Sequence, residues 1–418
     1  MPNIIHLSSV AGGPLLDSAG DRLGRIEDLT VRLDQGQDLP PITGLKARIG
    51  GRDLFVPIDR IEQLGPDHAR TSTTKLNLAQ FERQPSEVLL RSDVLDHSLI
   101  DVATARLVKA REVEIICQDG AWRVAGIDPT LRPRLWRFLP RRFRQHDSEH
   151  KQFISWSDIE PFLGHVPTSR LKLATRRLLR LHPAQLADLV EAASHEEGEE
   201  ILEAVGEDKE LEADVFEELD DEHQVEFLRE RSDQEAADVM SRMASDDAAD
   251  LLLELDQERR VPILNLLPPA KQRKLRSLLG FNPSTAGGLM NPDFVSVPAQ
   301  ATVAQALERV RASELAPQQV STVCVVDDHG KLIGALSLAE LVRADGSRRV
   351  SSITDSTLPT FAPETELAEV ARVMSDYNMT AIPVVEDDGD VKGLISVDDV
   401  LEQLIPEEWR WRAGAARE

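Results

Sequence analysis

The residues best placed to do chemistry are acids. SDDAADLLL (Ser245–Leu253) sets Asp246 and Asp250 four residues apart, on one face of a helix. Two carboxylates so placed repel each other until a cation sits between them and a third group. A divalent cation is the chemistry such a place would take. An ordinary solvated acidic face is the plainer account, and the sequence leaves it open. A second candidate is HDSEH, where His146, Glu149 and His150 fit the H-x-x-E-H zinc pattern of one peptidase group. That stretch is polar and offers no apolar helix face to hold a site, so a solvated linker accounts for it. There is no Cys–His or Ser–His–Asp motif suggestive of catalysis and no Gly-rich phosphate loop. The expectation is a protein that binds and senses, not an enzyme.

The elements that position those acids are short helices. From about Ser169 to Leu279 a 12-residue period runs through Val225, Ala237, Ala249 and Val261. Each unit opens on helix-start residues: Asp220-Asp221, Ser232-Asp233, Ser245-Asp246, Asp256-Gln257 and Pro268-Pro269. Helices of two to three turns, tightly linked, make a compact stack. Between Leu181 and Arg260 there are 28 acidic residues against 6 basic ones, so this tract holds most of the net charge of −25. Nucleic acid is a poor partner for it, because phosphate binding needs clustered cations. Divalent cations or basic protein surfaces fit better.

Downstream, one segment is written twice. VVDDHGKLIGALSLAEL (Val325–Leu341) and VVEDDGDVKGLISVDDV (Val384–Val400) lie 59 residues apart. Each reads as strand, acidic Gly turn, strand, then Gly-apolar-apolar-Ser into a helix. A module this small cannot bury both faces of its sheet alone, so the copies should pair and leave clefts for small ligands. Upstream, residues 5 to about 140 read as short strands and turns. LLDSAGDRLGRIEDLTV (Leu15–Val31) aligns with LIDVATARLVKAREVEI (Leu99–Ile115) at an offset of 84, which predicts two small barrel-like β units. Arg132, Arg134, Arg137, Arg141, Arg142 and Arg144 follow, interleaved with Trp136, Phe138 and Phe143. Such a stretch can contact RNA; a solvated linker, or a strip docking on the acidic tract, is the plainer account. Cys117 and Cys324 sit in apolar strand-like runs and are expected to be buried free thiols. No signal peptide and no run of about 20 apolar residues is seen, so a cytoplasmic protein is expected.

The paired modules resemble CBS domains, on the strength of GALSLAEL (Gly334–Leu341), GLISVDDV (Gly393–Val400) and AIPVV (Ala381–Val385). The resemblance implies that a Ser and an acid three residues later contact the ribose of an adenine nucleotide. Those positions are Ser396 and Asp399 in the second copy, and Ser337 with Glu340 in the first, where Glu departs from the family's Asp. The alternative is that both serines cap the following helices. The acidic stack, TAGGLMNP (Thr285–Pro292) and the CBS pair together resemble the intracellular half of MgtE-type magnesium transporters. That resemblance implies that Mg²⁺ closes the helical domain onto the CBS pair, with Asp345 opposite Asp246 and Asp250. Asp327, Asp398 and Asp399 are further metal candidates. The β region resembles PRC-barrel domains.

The expected fold is therefore multidomain α+β: PRC-barrel-like β units over 1–140, a basic linker over 141–168 and an acidic helical domain over 169–281. CBS modules over 282–353 and 354–404 and a tail over 405–418 complete it. The expected function is a soluble regulator that senses Mg²⁺ or another divalent cation, with an adenine nucleotide as second ligand, and controls a partner protein. Alternatives are a gating subunit of a membrane metal transporter and an RNA- or ribosome-associated adaptor. A homodimer through the CBS modules is implied, with peripheral membrane placement through a partner, since no membrane span is expected in the chain.

Overall fold

The computed structural model describes residues 3–33, 38–74, 80–84, 87–130, 153–160, 178–315, 319–354 and 357–405. The chain is mixed α+β, as the pattern predicts, and divides into two compact units, Met1–Leu211 and Glu212–Glu418.

In the first unit the long strand Arg22–Arg32 is the organiser. It pairs antiparallel with Ile42–Ile49 along one edge. Its other edge takes Pro14–Leu16 near the start and Glu87–Leu89 at the end. Glu87–Leu89 belongs to the second copy of the β repeat, and the exchange is mutual. Asn3–His6, from the first copy, pairs with Glu112–Gln118 of the second, setting Ile5 opposite Ile115. Each exchanged strand runs into a short helical turn, α1 (Leu7–Val10) in one copy and Leu90–Val94 in the other. A carboxylate locks each crossing. Ser8 donates to Glu112 through its backbone N–H, at 3.0 Å, and through Oγ. Ser92 donates to Asp28 through its N–H at 2.9 Å and Oγ at 2.7 Å, and the Arg91 N–H adds a third bond at 2.7 Å. Ser8 and Ser92 are 84 residues apart, as are Asp28 and Glu112, so the repeat seen in the sequence is physical.

The two copies are not separate barrels. They bury one core, in which Ile5, Leu29, Val31, Val88, Val113 and Ile115 pack together. Cys117, expected to be buried, is only half-buried near the end of its strand, while Cys324 in the second unit is fully buried. The first unit also holds α2 (Pro183–Ala192) and α3 (His195–Val205). Reciprocal capping boxes start both, His182 with Gln185 and Ser194 with Glu197.

The second unit begins within α4 (Lys209–Glu218). It continues through α5 (Asp221–Arg229), α6 (Asp233–Met240), α7 (Ser245–Glu254), α8 (Gln257–Leu266) and α9 (Pro269–Leu278). Asp220 and Ser232 cap α5 and α6 as their types predict, accepting from the His223 and Glu235 N–H groups. Ser245 departs from that pattern. It already lies inside α7, and its Oγ instead donates to Asp293 at 2.7 Å. The apolar side of α7 buries Ala248, Ala249, Leu251 and Leu252, and the helix packs against α5, α8 and α9.

A short helix, α10 (Ala286–Leu289), leads into the paired modules. In the first, Val295–Pro298 runs parallel to Thr322–Val326, which pairs antiparallel with Leu332–Ser337. α11 (Val303–Arg311) and α12 (Leu338–Arg343) complete it. In the second, Ala381–Val385 pairs with Val391–Ser396, Phe361 makes the parallel bridge, and α13 (Leu367–Tyr377) and α14 (Val397–Leu404) complete the copy. Both hairpin turns need glycine, because Gly330 and Gly389 sit at φ +82° and +88°. The turns meet: the Leu332 N–H donates to Gly389 at 3.0 Å, and Lys331 Nζ pairs with Asp388 and Asp390 at 2.8 Å. Among the described residues, no helix is long and apolar enough to cross a membrane.

Asp28 holds four donors, since the Leu29 N–H also reaches it at 2.8 Å, so removing it strands them. Asp28→Ala should lower unfolding free energy by on the order of 2–4 kcal/mol. Urea denaturation followed by tryptophan fluorescence checks this, and Glu112→Ala should act in the same direction.

Candidate functional site

Acids from three chain-distant helices meet in the second unit. The helical period brings Asp246, Asp247 and Asp250 to one side of α7. Asp246 is 9% exposed, and its Oδ1 accepts from Asn291 Nδ2 at 2.9 Å. Burial raises its carboxyl well above the usual carboxylate range, and repulsion from Asp399 of α14 adds to this. Burial also raises Asp247, helped by the negative charges of Asp246, Glu217, Glu402 and Asp399. Glu217 of α4 is pushed up to about 7 by burial first, although the Ala244 N–H donates to it and pulls the other way. That displacement from 4.5 corresponds to about 3 kcal/mol of disfavoured charge. Asp250 is pushed up to about 6 by burial of its carboxyl and by Asp221, Glu402 and Glu254. The residue as a whole is exposed, so solvent screens part of that repulsion. On α14, burial raises Asp399 against the hydrogen bonds of Ser396. Burial is the largest cause of each of these shifts, and repulsion from neighbouring acids adds to it.

Two lysines of α9 border this space. Lys271 donates through Nζ to the Met243 carbonyl. Burial lowers its pKa, opposed by Asp293, Asp246 and Glu217. Lys274 forms an ion pair with Asp293, the acid that also accepts from Ser245.

Asn291, at the end of TAGGLMN, ties α7 to the second module. Its side chain serves Asp246, while its backbone exchanges two hydrogen bonds with Leu394, at 2.8 and 2.9 Å. Gly393 permits that contact, since a Cβ there would lie 2.6 Å from the Asn291 carbonyl oxygen. Gly288 answers a similar need, with a Cβ position 2.4 Å from the Asn282 carbonyl oxygen.

The residues singled out from sequence have different fates. Asp246, Asp250 and Asp399 belong to the acidic cluster. Asp345 lies in the turn after α12, where its carboxylate accepts from the Ser347 N–H at 2.8 Å; Ser347 and Arg348 hold its pKa low. Asp327 ties its own hairpin, accepting from the N–H groups of His329 and Lys331 at 2.8 and 2.9 Å. Asp398 is exposed and adds repulsion at Asp399. Ser337 with Glu340, and Ser396 with Asp399, both form complete capping boxes, so the Glu departure leaves the local geometry unchanged. Sequence reasoning missed Asp247, Glu217 and Glu402. The first and last could have been found, since Asp247 precedes Asp250 by three residues and Glu402 follows Asp399 by three. Nothing local marks Glu217.

A tighter carboxylate triad lies elsewhere in the second unit. Glu386, Asp388 and Asp390 have ligand atoms within 4.8 Å of one another. Lys331 pairs with Asp388 and Asp390, and Lys392 with Glu386. Arg132–Arg144, His146, Glu149 and His150 lie outside the described residues.

Residues 181–284 match the MgtE intracellular N domain, and residues 286–347 and 350–406 match the CBS domain. The magnesium transporter MgtE of Thermus thermophilus is 36% identical over 140 residues, which are 34% of this chain and 31% of that protein. MgtE of Bacillus subtilis is 26% identical over 144 residues, 34% of this chain and 32% of its own length. The chain thus spans about a third of the length of these curated relatives. Among solved structures, the cytosolic domain of the Mg²⁺ channel MgtE in complex with ATP aligns with a TM-score of 0.52 at 29% identity. That alignment covers 56% of this chain and 95% of the other. The soluble part of a magnesium transporter aligns with a TM-score of 0.52 at 25% identity, covering 57% and 93%.

Raised carboxyl pKa values fix a pH dependence. Glu217 and Asp250 hold protons in the folded state, up to about 7 and about 6, that the unfolded chain releases near 4.5 and 3.8. Their contribution to stability is complete below the ordinary carboxylate range and is lost as pH rises through those folded values. In chelator, the thermal midpoint of the full chain should therefore fall between pH 5 and pH 8. Glu217→Gln should flatten the upper part of that fall, as scanning calorimetry at four pH values would show.

Proposed function

We propose that this chain, in which an MgtE intracellular N domain leads into a CBS pair, is a divalent-cation sensor. In this reading Mg²⁺ is the physiological ion, and the cluster of Glu217, Asp246, Asp247, Asp250, Asp399 and Glu402 is where it acts. The observation that carries the reading is the shared upward shift of carboxyls from α4, α7 and α14. A cation between these helices would relieve repulsion that otherwise pushes α14 away from α7. Occupancy would thus favour the docked arrangement over an open one, which is the differential affinity a switch requires. The looseness of the cluster favours Mg²⁺, which keeps most of its waters and bridges through them. Three of the relatives are magnesium transporters, and one aligned cytosolic domain is that of a Mg²⁺ channel.

The partner in this reading is a protein whose activity follows the docked fraction. A membrane metal transporter is the class the relatives favour, with the chain held at the cytoplasmic face as a gating or accessory component. A homodimer through the CBS modules, and an adenine nucleotide at Ser396 and Asp399, extend the same reading. The nucleotide is supported by the aligned domain in complex with ATP. It would have to recruit Ser396 and Asp399 from their capping box, where Asp399 accepts from the Ser396 N–H at 3.1 Å.

Two measurements test this. Mg²⁺ should bind by calorimetry and raise the thermal midpoint, by the equivalent of about 2.7 kcal/mol at a hundredfold excess over Kd. Asp246→Asn with Asp399→Asn should raise the midpoint without ion and abolish most of the Mg²⁺ increment; an undiminished increment would move the ion site elsewhere. ATP should raise the midpoint separately, and Ser396→Ala should weaken that effect severalfold.

A further inference from the structure

We propose that the open end of the helical stack, at α8 and α9, is a docking surface for an acidic amphipathic helix of a partner protein. The surface is separate from the acidic cluster and stands whether or not that cluster takes a cation. At the same two positions of the 12-residue repeat, α5 carries Gln224 and Val225, α6 Ala236 and Ala237, and α7 Ala248 and Ala249. The four alanines are buried, Ala236 and Ala248 completely. In each case the helix two places on packs against its predecessor: α7 on α5, α8 on α6 and α9 on α7. α8 carries Arg260 and Val261 at those positions. The stack ends at α9, and the next helix, α10, packs on the Val391–Ser396 strand instead. Val261 is accordingly 62% exposed.

A terminal repeat ordinarily closes a stack with a polar outer face. Here the change runs the other way. Where α6 and α7 carry Asp238 and Asp250, α8 carries Pro262. Where they carry Arg242 and Glu254, α8 carries Leu266, which is 46% exposed. Val261, Pro262 and Leu266 stand on one helix face. The rim is opposite in charge to the acidic tract, since α9 has four basic residues and no acid. Lys274 is taken by Asp293, but Arg273 and Arg276 are exposed, and among the described residues neither has an ion-pair partner. Arg276 donates to Asn265 Oδ1 at 3.2 Å, which sets its guanidinium beside Leu266. An apolar strip rimmed by such arginines takes a helix with one apolar face and acids beside it. α7, which fills this place on α5, has that composition. A second copy is the poorer occupant, because a two-fold contact through this face sets arginines against arginines.

The test is a display library of helical peptides with one apolar face, whose outer positions are all acidic, all neutral or all basic, selected against the full chain. Binders should come from the acidic pool and weaken as salt rises. Val261→Glu with Leu266→Glu should weaken them by about tenfold or more, and so should Arg273→Glu with Arg276→Glu. Ile4→Glu, at an exposed apolar residue of the first unit, should leave binding unchanged. The altered side chains are exposed, so the thermal midpoint should stay near wild type; the arginine variant keeps the test decisive if the other fails to fold. An acidic pool that yields no binder, or binders indifferent to both variants, overturns the proposal. So does dimerisation in ultracentrifugation that Val261→Glu abolishes, which assigns the face to a second copy. Binding to anionic lipid vesicles in place of peptide, lost in the same variant, assigns it to a membrane and overturns the proposal too.

Discussion

Asp246 is a carboxyl group with little access to water, placed among other carboxyl groups. Burying such a charge is costly, and repulsion from Asp399 adds to the cost. The rest of the second unit is arranged around that conflict. Asn291 gives Asp246 one good hydrogen bond, which is why the TAGGLMN tract must reach this point and why Gly393 must leave room for it. Lys271 and Lys274 bring partial compensation from α9. What remains is negative charge shared between helices that lie far apart in sequence. Under the proposed function such a structure is poised, because its packing would favour closure while its charge would oppose it.

That balance gives Asp399 a particular position. It closes the capping box that starts α14, and it faces the acids of α7. Under the proposed function the same carboxylate would serve an adenine nucleotide and a divalent cation. Drawing it toward a ribose would withdraw it from α7, and neutralising it with a cation would change how firmly it holds the cap. Two ligands that share one residue cannot bind independently, and linkage makes the effect reciprocal. The first module has an equivalent cap at Ser337 and Glu340 but lacks the α7 acids, so the copies are alike in local geometry and unequal in consequence.

The sequence makes some of this legible. The offset of 84 between Asp28 and Glu112 and the offset of 59 between Ser337 and Ser396 mark residues that do the same work in each copy. The 12-residue period marks helices that are present, and the pair at Asp246 and Asp250 marks the right helix. What stays hidden is set by contacts between distant segments. Strand exchange between the β copies leaves each strand's own pattern unchanged and alters only its partner. Asp399 comes close enough to Asp246 to repel it where Asn291 bridges to Leu394 of the second module, a contact that no local signal encodes. Glu217 looks like any exposed helical acid until Ala244 is seen above it.

The two units treat buried carboxylates in opposite ways, and the contrast separates scaffold from switch. In the first unit Asp28 is as buried as Asp246, and burial raises its pKa too, yet the N–H groups of Arg91, Ser92 and Leu29 and the Ser92 hydroxyl all point at it. Its charge is met by fixed donors, so only one arrangement satisfies it, and the exchanged strands are locked. In the second unit Asp246 also accepts from Asn291 and from the backbone N–H groups at the start of α7, but its neighbours are other acids. Such a site can be satisfied only by something that comes and goes, a proton or a cation. Fixed donors make a static joint between the β copies. Under the proposed function, unmet charge would make the approach of α14 to α7 conditional, and such a conditional contact is the physical requirement for sensing.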